Sequence, residues 1–177
     1  MQRLEMEGAR LVCAVEPLPR ASWTHAGPHT VEFLFCPGAG TRPRPLARIA
    51  SGGEVSRVML AVKVALGQAD RVDTLVFDEV DAGVGGTAAV ALAEVLADLA
   101  RTHQVIVVTH LAQVAVRGEA HYVVRKVAAS QEGAAPETEL RRLSAEERPA
   151  EIARMLSGEV TEASLAHARE LLAAARP

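Results

Sequence analysis

Residues 50–54, Ala-Ser-Gly-Gly-Glu, and residues 74–79, Thr-Leu-Val-Phe-Asp-Glu, decide how this chain is read. The first stretch opens a helix. Val55, Val58, Met59, Val62, Ala65, Leu66 and Ala69 recur at the spacing of a helix that buries one stripe, leaving Glu54, Arg57, Lys63 and Gln68 to face water. Ser51, with Glu54 three residues on, forms a capping box, so local chemistry alone starts the helix there. The same tip has a second capacity. Its first turn carries unpaired N–H groups and a partial positive charge, and two glycines let an anion come close to the backbone. A plain cap and an anion seat both fit the tetrapeptide.

The second stretch narrows the choice. Leu75–Phe77 is a continuous apolar run, as in a strand covered on both faces of a parallel sheet. Asp78 and Glu79 then fall at its carboxyl end, where open α/β sheets bind ligands. Adjacent acids beside an apolar core are costly unless solvated, paired or used on a metal. Successive strand residues point to opposite faces, so the two carboxylates are expected to do different jobs. One can hold Mg²⁺, usually through water, and the other can orient or deprotonate an attacking water. A solvated strand end is the plainer alternative.

Downstream, the glycine-rich residues 80–86 lead into an Ala-rich helix from about Thr87 to Ala100, with Leu92, Val95, Leu96 and Leu99 as its stripe. Gln104–Val108 reads as a second buried strand, making residues 74–108 a right-handed parallel crossover. Thr109 and His110 end that strand on the sheet edge expected to carry Asp78 and Glu79. His110 is therefore a candidate phosphate sensor as well as a structural histidine.

Upstream, Arg10–Glu16 and Thr30–Cys36 read as an antiparallel pair joined by the loop 17–29. His25 and His29 do not make a metal pair, because Pro28 prevents a helix from aligning them. Residues 37–49 form a loop. Its Gly38-Ala39-Gly40-Thr41 is not a phosphate loop, since no Gly-Lys-Ser/Thr follows. Arg42, Arg44 and Arg48 there suit either solvent or phosphate. Towards the C-terminus, His121–Lys126 and Glu137–Leu143 form an expected hairpin around the low-complexity stretch 128–136. A second capping box, Ser144 with Glu147, precedes a stripe of Ile152, Met155 and Leu156 that Gly158 ends. A last helix, roughly 162–175 after Thr161, carries Leu165, Ala168, Leu171 and Leu172. Nothing in this tail is catalytic; it reads as packing and partner contact.

Composition sets the bounds. A chain of 177 residues suits one domain with a sizeable core, and its 49% apolar content holds no run near the ~20 residues of a membrane helix. Residues 1–10 are charged rather than a secretory leader, and residues 1–8 read as the end of a charged helix. Cys13 and Cys36 are too few for a disulfide framework and are expected as buried free thiols of a cytosolic protein. The net charge of −3 excludes a domain-wide electrostatic grip on nucleic acid.

The order Ser-Gly-Gly-Glu, apolar run plus Asp-Glu, then apolar run plus Thr-His resembles the second half of an ABC-type ATPase head. The gaps agree, at 27 residues (51 to 78) and 32 residues (78 to 110). The resemblance is closest to the RecN family of SMC-like DNA-repair ATPases. It rests on residues 46–57, 77–86 and 108–114, and extends through 151–156 and 167–172. The fold so implied is α/β: the C-terminal lobe of a P-loop ABC-type head, a mostly parallel sheet with flanking helices and antiparallel strand pairs. Residues 1–8 would end a coiled-coil helix and 9–177 would form the lobe. The resemblance further implies Asp78 as the Walker B aspartate supporting Mg²⁺ and Glu79 as the catalytic glutamate. His110 would be the switch histidine, and Ser51, Gly52, Gly53 and Glu54 the signature that grips ATP held by a second head. Asp81, Gly83 and Gly85 would lie in the loop that faces the dimer partner. Implied partners are an N-terminal Walker A lobe of the same protein, a second head in a homodimer, and DNA ends, with no membrane and a cytoplasmic, nucleoid-associated location. Two departures stand out. Gly85 occupies the place where broader ABC heads carry an aspartate. No Walker A motif is present, so nothing here cradles the α- and β-phosphates, and the chain alone is expected to be inactive. A transporter ATPase fragment and a non-catalytic dimerisation module are the alternatives.

Overall fold

The structure is a computed structural model describing residues 4, 6–49, 51–69, 71–127 and 137–175. It divides into two compact units, residues 1–109 and 110–177. In the first, β1 (Arg10–Pro17) and β2 (His29–Cys36) pair antiparallel from Arg10↔Cys36 to Pro17↔His29, as expected. The following loop adds a two-residue strand, β3 (Arg44–Pro45), to the edge of β2. Next come α1 (Gly52–Leu66), β4 (Thr74–Phe77), α2 (Gly86–Leu99) and β5 (Gln104–Val107). The pairing of β4 with β5 is parallel, Thr74↔Gln104 to Phe77↔Val107, and it is the only parallel pairing among the described residues. The strand–helix–strand unit read from the sequence is thus present. On α2, all of Leu92, Val95, Leu96 and Leu99 are buried, together with Ala89 and Ala93.

Several expectations for this unit change. On β4, Leu75 and Phe77 are buried but Val76 is 65% exposed, so only one face is covered. Ile106 and Val108 are exposed as well. The apolar run that signalled a doubly covered strand therefore presents one bare face. Helix α1 departs in the same direction: Val58 and Leu60 are buried, Val55 and Val62 are half-buried, and Met59 and Leu66 are exposed. Glu54, Arg57 and Lys63, expected to face water, are half-buried. Periodicity marks which side chains are apolar, but burial needs a neighbour to cover them. Cys36 is buried as expected, whereas Cys13 is exposed on β1, paired with Phe33 on a face that also leaves Val15 and Val31 uncovered. Of the expected incoming helix, residues 1–3 and 5 lie outside the described residues, and Glu7 and Gly8 form a turn.

The second unit contains α3 (Ala112–Ala115), β6 (Tyr122–Val127), β7 (Glu137–Arg142), α4 (Arg148–Ser157) and α5 (Glu162–Ala174). Strands β6 and β7 pair antiparallel from Tyr122↔Arg142 to Val127↔Glu137; the expected loop 128–136 lies outside the described residues. The Ser144–Glu147 box forms in both directions, at 2.9 and 3.3 Å, one turn ahead of α4. Gly158 ends α4 in the left-handed region at φ 80°, which a side chain would strain. Thr161 and Ser164 cap α5 reciprocally. Ala112, Val116, Ile152, Ala153 and Ala168 form a core against which Met155, Leu156, Leu165, Leu171 and Leu172 pack. The stripes read from the sequence are thus the ones that meet.

Candidate functional site

Ser51 lies at the N-cap of α1 in extended conformation and is exposed; its Oγ accepts from the Glu54 backbone N–H at 3.5 Å. This is the expected Ser51 half of the box. Ser51 and Gly52 at the tip are exposed, while Gly53 is buried. Gly52 and Gly53 face the carboxyl end of β4. A Cβ on Gly52 would overlap Glu79 Oε2, and one on Gly53 would stand 2.8 Å from Ala82 Cβ and 3.0 Å from the Glu79 carbonyl oxygen. Gly53 is thus required by the neighbouring backbone, quite apart from any anion, whereas at Gly52 it is the mobile end of the Glu79 side chain that would have to move. The Glu79 carboxylate lies at the positive tip of α1, where a negative charge is stabilised.

Asp78 and Glu79 are both exposed, directly after the buried Phe77. Glu79 has φ 54°, the only positive φ at a non-glycine among the described residues. Such backbone costs roughly 1 kcal/mol and persists where the surroundings impose it, commonly at functional sites. Here they do. Ala82 N donates to the Glu79 carbonyl at 3.0 Å and Val84 N to the Asp81 carbonyl at 3.0 Å, closing two successive turns.

Three side chains that the sequence reading gave no role hold this loop. Ser56 Oγ donates to the Asp78 carbonyl at 2.7 Å. Arg57 Nη1 donates to the carbonyls of Val80 and Ala82 at 3.3 and 2.7 Å. Thr109 Oγ1 donates at 2.5 Å to Asp81 Oδ2, and the Asp81 residue is only 2% exposed. Asp81 is therefore a buried tether rather than a loop carboxylate open to a partner. A signal for Arg57 was present: it lies one helical turn after Gly53, on the face that approaches residues 79–82. Gly83 and Gly86 take positive φ of 72° and 56°, while Gly85 is extended at φ −161° and caps α2. Val108 N donates to the Phe77 carbonyl at 2.9 Å, bringing Thr109 to the rim that bears Asp78. His110, exposed, is the first residue of the second unit.

In the first unit, then, the helix tip at Ser51–Gly53, the Asp78-Glu79 strand end and the 80–82 turn form one hydrogen-bonded block. The exposed carboxylates can take a hydrated divalent cation and position a water. The helix tip can take an oxyanion.

No family model matches the chain. Its sequence is 50% identical over 173 residues to the DNA repair protein RecN of Deinococcus radiodurans, covering 98% of this chain and 29% of that protein. It is 54% identical over 151 residues to RecN of Mycobacterium leprae, covering 85% of this chain and 25% of that protein. The chain thus spans less than a third of these relatives' length. Among solved structures, the Smc head domain with a coiled coil and joint from Pyrococcus yayanosii aligns with TM-score 0.54 at 20% identity, over 81% of this chain and 25% of that one. The Smc head domain with an extended coiled coil bound to the C-terminal domain of ScpA, from Pyrococcus furiosus, aligns with TM-score 0.51 at 20% identity, over 79% and 32%. These two likenesses concern the fold. Over nearly all its length the chain matches RecN, and it corresponds to a C-terminal lobe of a RecN/SMC-like head.

Proposed function

We propose that this chain is half of a composite ATPase head, with residues 1–8 ending a coiled-coil helix and 9–177 forming the lobe. Completed by an N-terminal Walker A lobe, two heads would close on two ATP molecules and reopen after hydrolysis, in the service of DNA double-strand-break repair. Asp78 supports Mg²⁺ through water, Glu79 polarises the attacking water, and His110 senses the γ-phosphate. Ser51, Gly52, Gly53 and Glu54 present the α1 tip to ATP held by the second head. Asp81, Gly83 and Gly85 belong to the loop at that interface, with Asp81 setting its shape through Thr109.

The observation that carries this reading is the bonded block joining the Ser-Gly-Gly helix tip to the Asp-Glu strand end. Ser56, Arg57 and the close approach at Gly52 and Gly53 make the two motifs one mechanical piece. A phosphate captured at the helix tip would therefore be felt at Glu79. The bare apolar faces support an absent lobe: Met59, Leu66, Val76, Ile106 and Val108 are all exposed on the first unit. Among the described residues no helix is long and apolar enough to cross a membrane. The intact Asp78-Glu79 pair counts against a purely non-catalytic dimerisation module.

ATP-driven dimerisation of the completed head tests the assignment. Ser51→Arg is expected to abolish dimerisation while single heads still bind ATP, because a bulky cation would fill the space at the helix tip. Dimerisation at wild-type ATP concentrations in Ser51→Arg would reduce Ser51 to a helix cap.

A further inference from the structure

The ATPase reading gives no task to the sheet of β1, β2 and β3, whose stretch of chain is charged unlike the rest. Residues 17–48 carry four arginines, Arg20, Arg42, Arg44 and Arg48, against one acid, Glu32. That stretch is therefore +3, leaving −6 for the remainder of a chain whose total is −3. All four arginines are exposed. A local asymmetry of this kind draws an anionic partner to one place on a domain that is not basic as a whole.

The strand register sorts the side chains further. Partners across an antiparallel pair share a face, and faces alternate along each strand. One face of the sheet thus bears Cys13 opposite Phe33, Val15 opposite Val31, and Arg44 opposite Phe35. The only acids of the three strands, Glu16 and Glu32, both fall on the other face. The acid-free face is closed at Phe35, which is buried, and open beyond it: Phe33 is 51% exposed, and Val15 and Val31 are exposed beside it. Arg44 stands at the closed end of this apolar strip. At the far end, the hairpin tip presents Trp23, 54% exposed. Its indole N–H donates to the Leu18 carbonyl at 3.2 Å, and the Arg20 guanidinium lies 5.9 Å from its ring centroid. The ring is therefore held in place before any partner arrives, which lowers the ordering cost of binding.

An apolar strip alone would suit a protein surface. Cations at both ends and no acid between them favour a polyanion, and exposed rings among the cations favour one with free bases. Unpaired bases stack on aromatic side chains whatever their sequence, while neighbouring cations take the phosphates. A duplex keeps its bases stacked on one another and offers only edges and backbone. We propose that the acid-free face of the β1–β2–β3 sheet binds single-stranded DNA, with Phe33 and Trp23 as stacking platforms and Arg44 and Arg20 on phosphates. The choice of DNA over RNA rests on the repair role proposed above; the stacking surface does not.

The 177-residue chain is titrated at low salt with an oligo(dT) of about 12 nucleotides, a length within the range of single-strand sites. The emission of Trp23, the only tryptophan, is followed. Saturable quenching is expected, and it should weaken with salt by about 0.7 log units per tenfold rise for each phosphate neutralised. Phe33 is exposed, so Phe33→Ala is expected to stay folded and to weaken binding about tenfold through lost stacking. Phe33→Leu keeps the apolar bulk without the ring and is expected to weaken binding as well. Arg44→Ala is expected to lower the salt slope by about 0.7. Arg10→Ala removes an exposed cation from the opposite face and is expected to bind like wild type. A closed circular duplex at equal nucleotide concentration should quench far less, and quenching by oligo(dT) should persist when an N-terminal lobe is added. No saturable quenching, binding unaltered by both Phe33 variants, an Arg10→Ala loss equal to that of Arg44→Ala, or equal quenching by the duplex would each overturn the site. Quenching lost on adding the N-terminal lobe would give the face to that lobe instead, and tighter binding of oligo(U) would overturn the choice of DNA. ATP is absent throughout, so a negative result would leave the ATPase reading untouched.

Discussion

Gly53→Ala probes the joint between the helix tip and the acidic strand end. The added Cβ would stand 2.8 Å from Ala82 Cβ, 3.0 Å from the Glu79 carbonyl oxygen and 3.1 Å from that of Ala82. Two of the three neighbours are backbone atoms, held by the Ala82 N to Glu79 O bond and by Arg57, so neither can turn aside. Forcing a methyl into such a site costs about 1–3 kcal/mol. Replacing glycine by alanine in a helix returns up to about 1 kcal/mol, and less at the first turn. The net expectation is a loss of about 1–2 kcal/mol, which lowers the urea midpoint by roughly 0.5–1 M. Gly38→Ala is the control, since its Cβ would meet nothing within 4 Å. Urea unfolding followed by circular dichroism and by the fluorescence of Trp23, the only tryptophan, reads the first unit. A Gly53→Ala midpoint equal to or above wild type would refute the claim that α1 is pressed against residues 79–82.

Arg57→Ala removes a charged donor from two carbonyls and is expected to destabilise by about 2 kcal/mol. Amide exchange at Ala82 and Val84 should quicken as the loop loosens, and unchanged protection there would make Arg57 a bystander. In the second unit two of the shifted groups, His121 and Glu151, point the same way with pH. His121 is lowered in the folded state, so the unfolded chain takes up its proton first and stability falls as pH drops through about 6.5. Glu151 is lowered chiefly by its hydrogen bonds from Arg154, so its contribution is complete above 4.5 and is lost as pH falls below that value. Thermal melts across pH 3–8 (a range of order set by these pKa values) should show both declines, and His121→Phe should remove the upper one alone.

How much of this was legible in the sequence follows from which forces act locally. Caps are local, so Ser51, the Ser144–Glu147 box, Thr161 and Gly158 were all readable from residue type and spacing. Strand pairing between β1 and β2 and between β6 and β7 follows from strand-like runs on either side of a turn-rich loop. The same patterns misjudged burial on α1 and β4. Val76 and Met59 carry the apolar signature of a core but remain exposed, because periodicity cannot tell whether the covering element lies within the chain. Arg57 was misread for the converse reason: a charged residue off the apolar stripe looks solvated until the carbonyls of Val80 and Ala82 are placed beside it. The tether from Thr109 to Asp81 was not legible either, since only the fold brings Thr109 within reach. The Ser51–Gly53 helix tip and the Asp78-Glu79 strand end lie side by side in the first unit, while the bonds that join them were not visible in the sequence.

The central claim is that this chain holds the acids and the helix tip of an ATPase but not the cradle for the nucleotide. ATP turnover measured on the chain alone, and again after addition of an N-terminal lobe carrying a Gly-Lys-Ser/Thr loop, tests it most directly. The account expects no turnover from the chain alone, and turnover on complementation that Glu79→Gln abolishes while ATP binding persists. Robust hydrolysis by the isolated 177 residues, or full activity of the complemented Glu79→Gln variant, would contradict it.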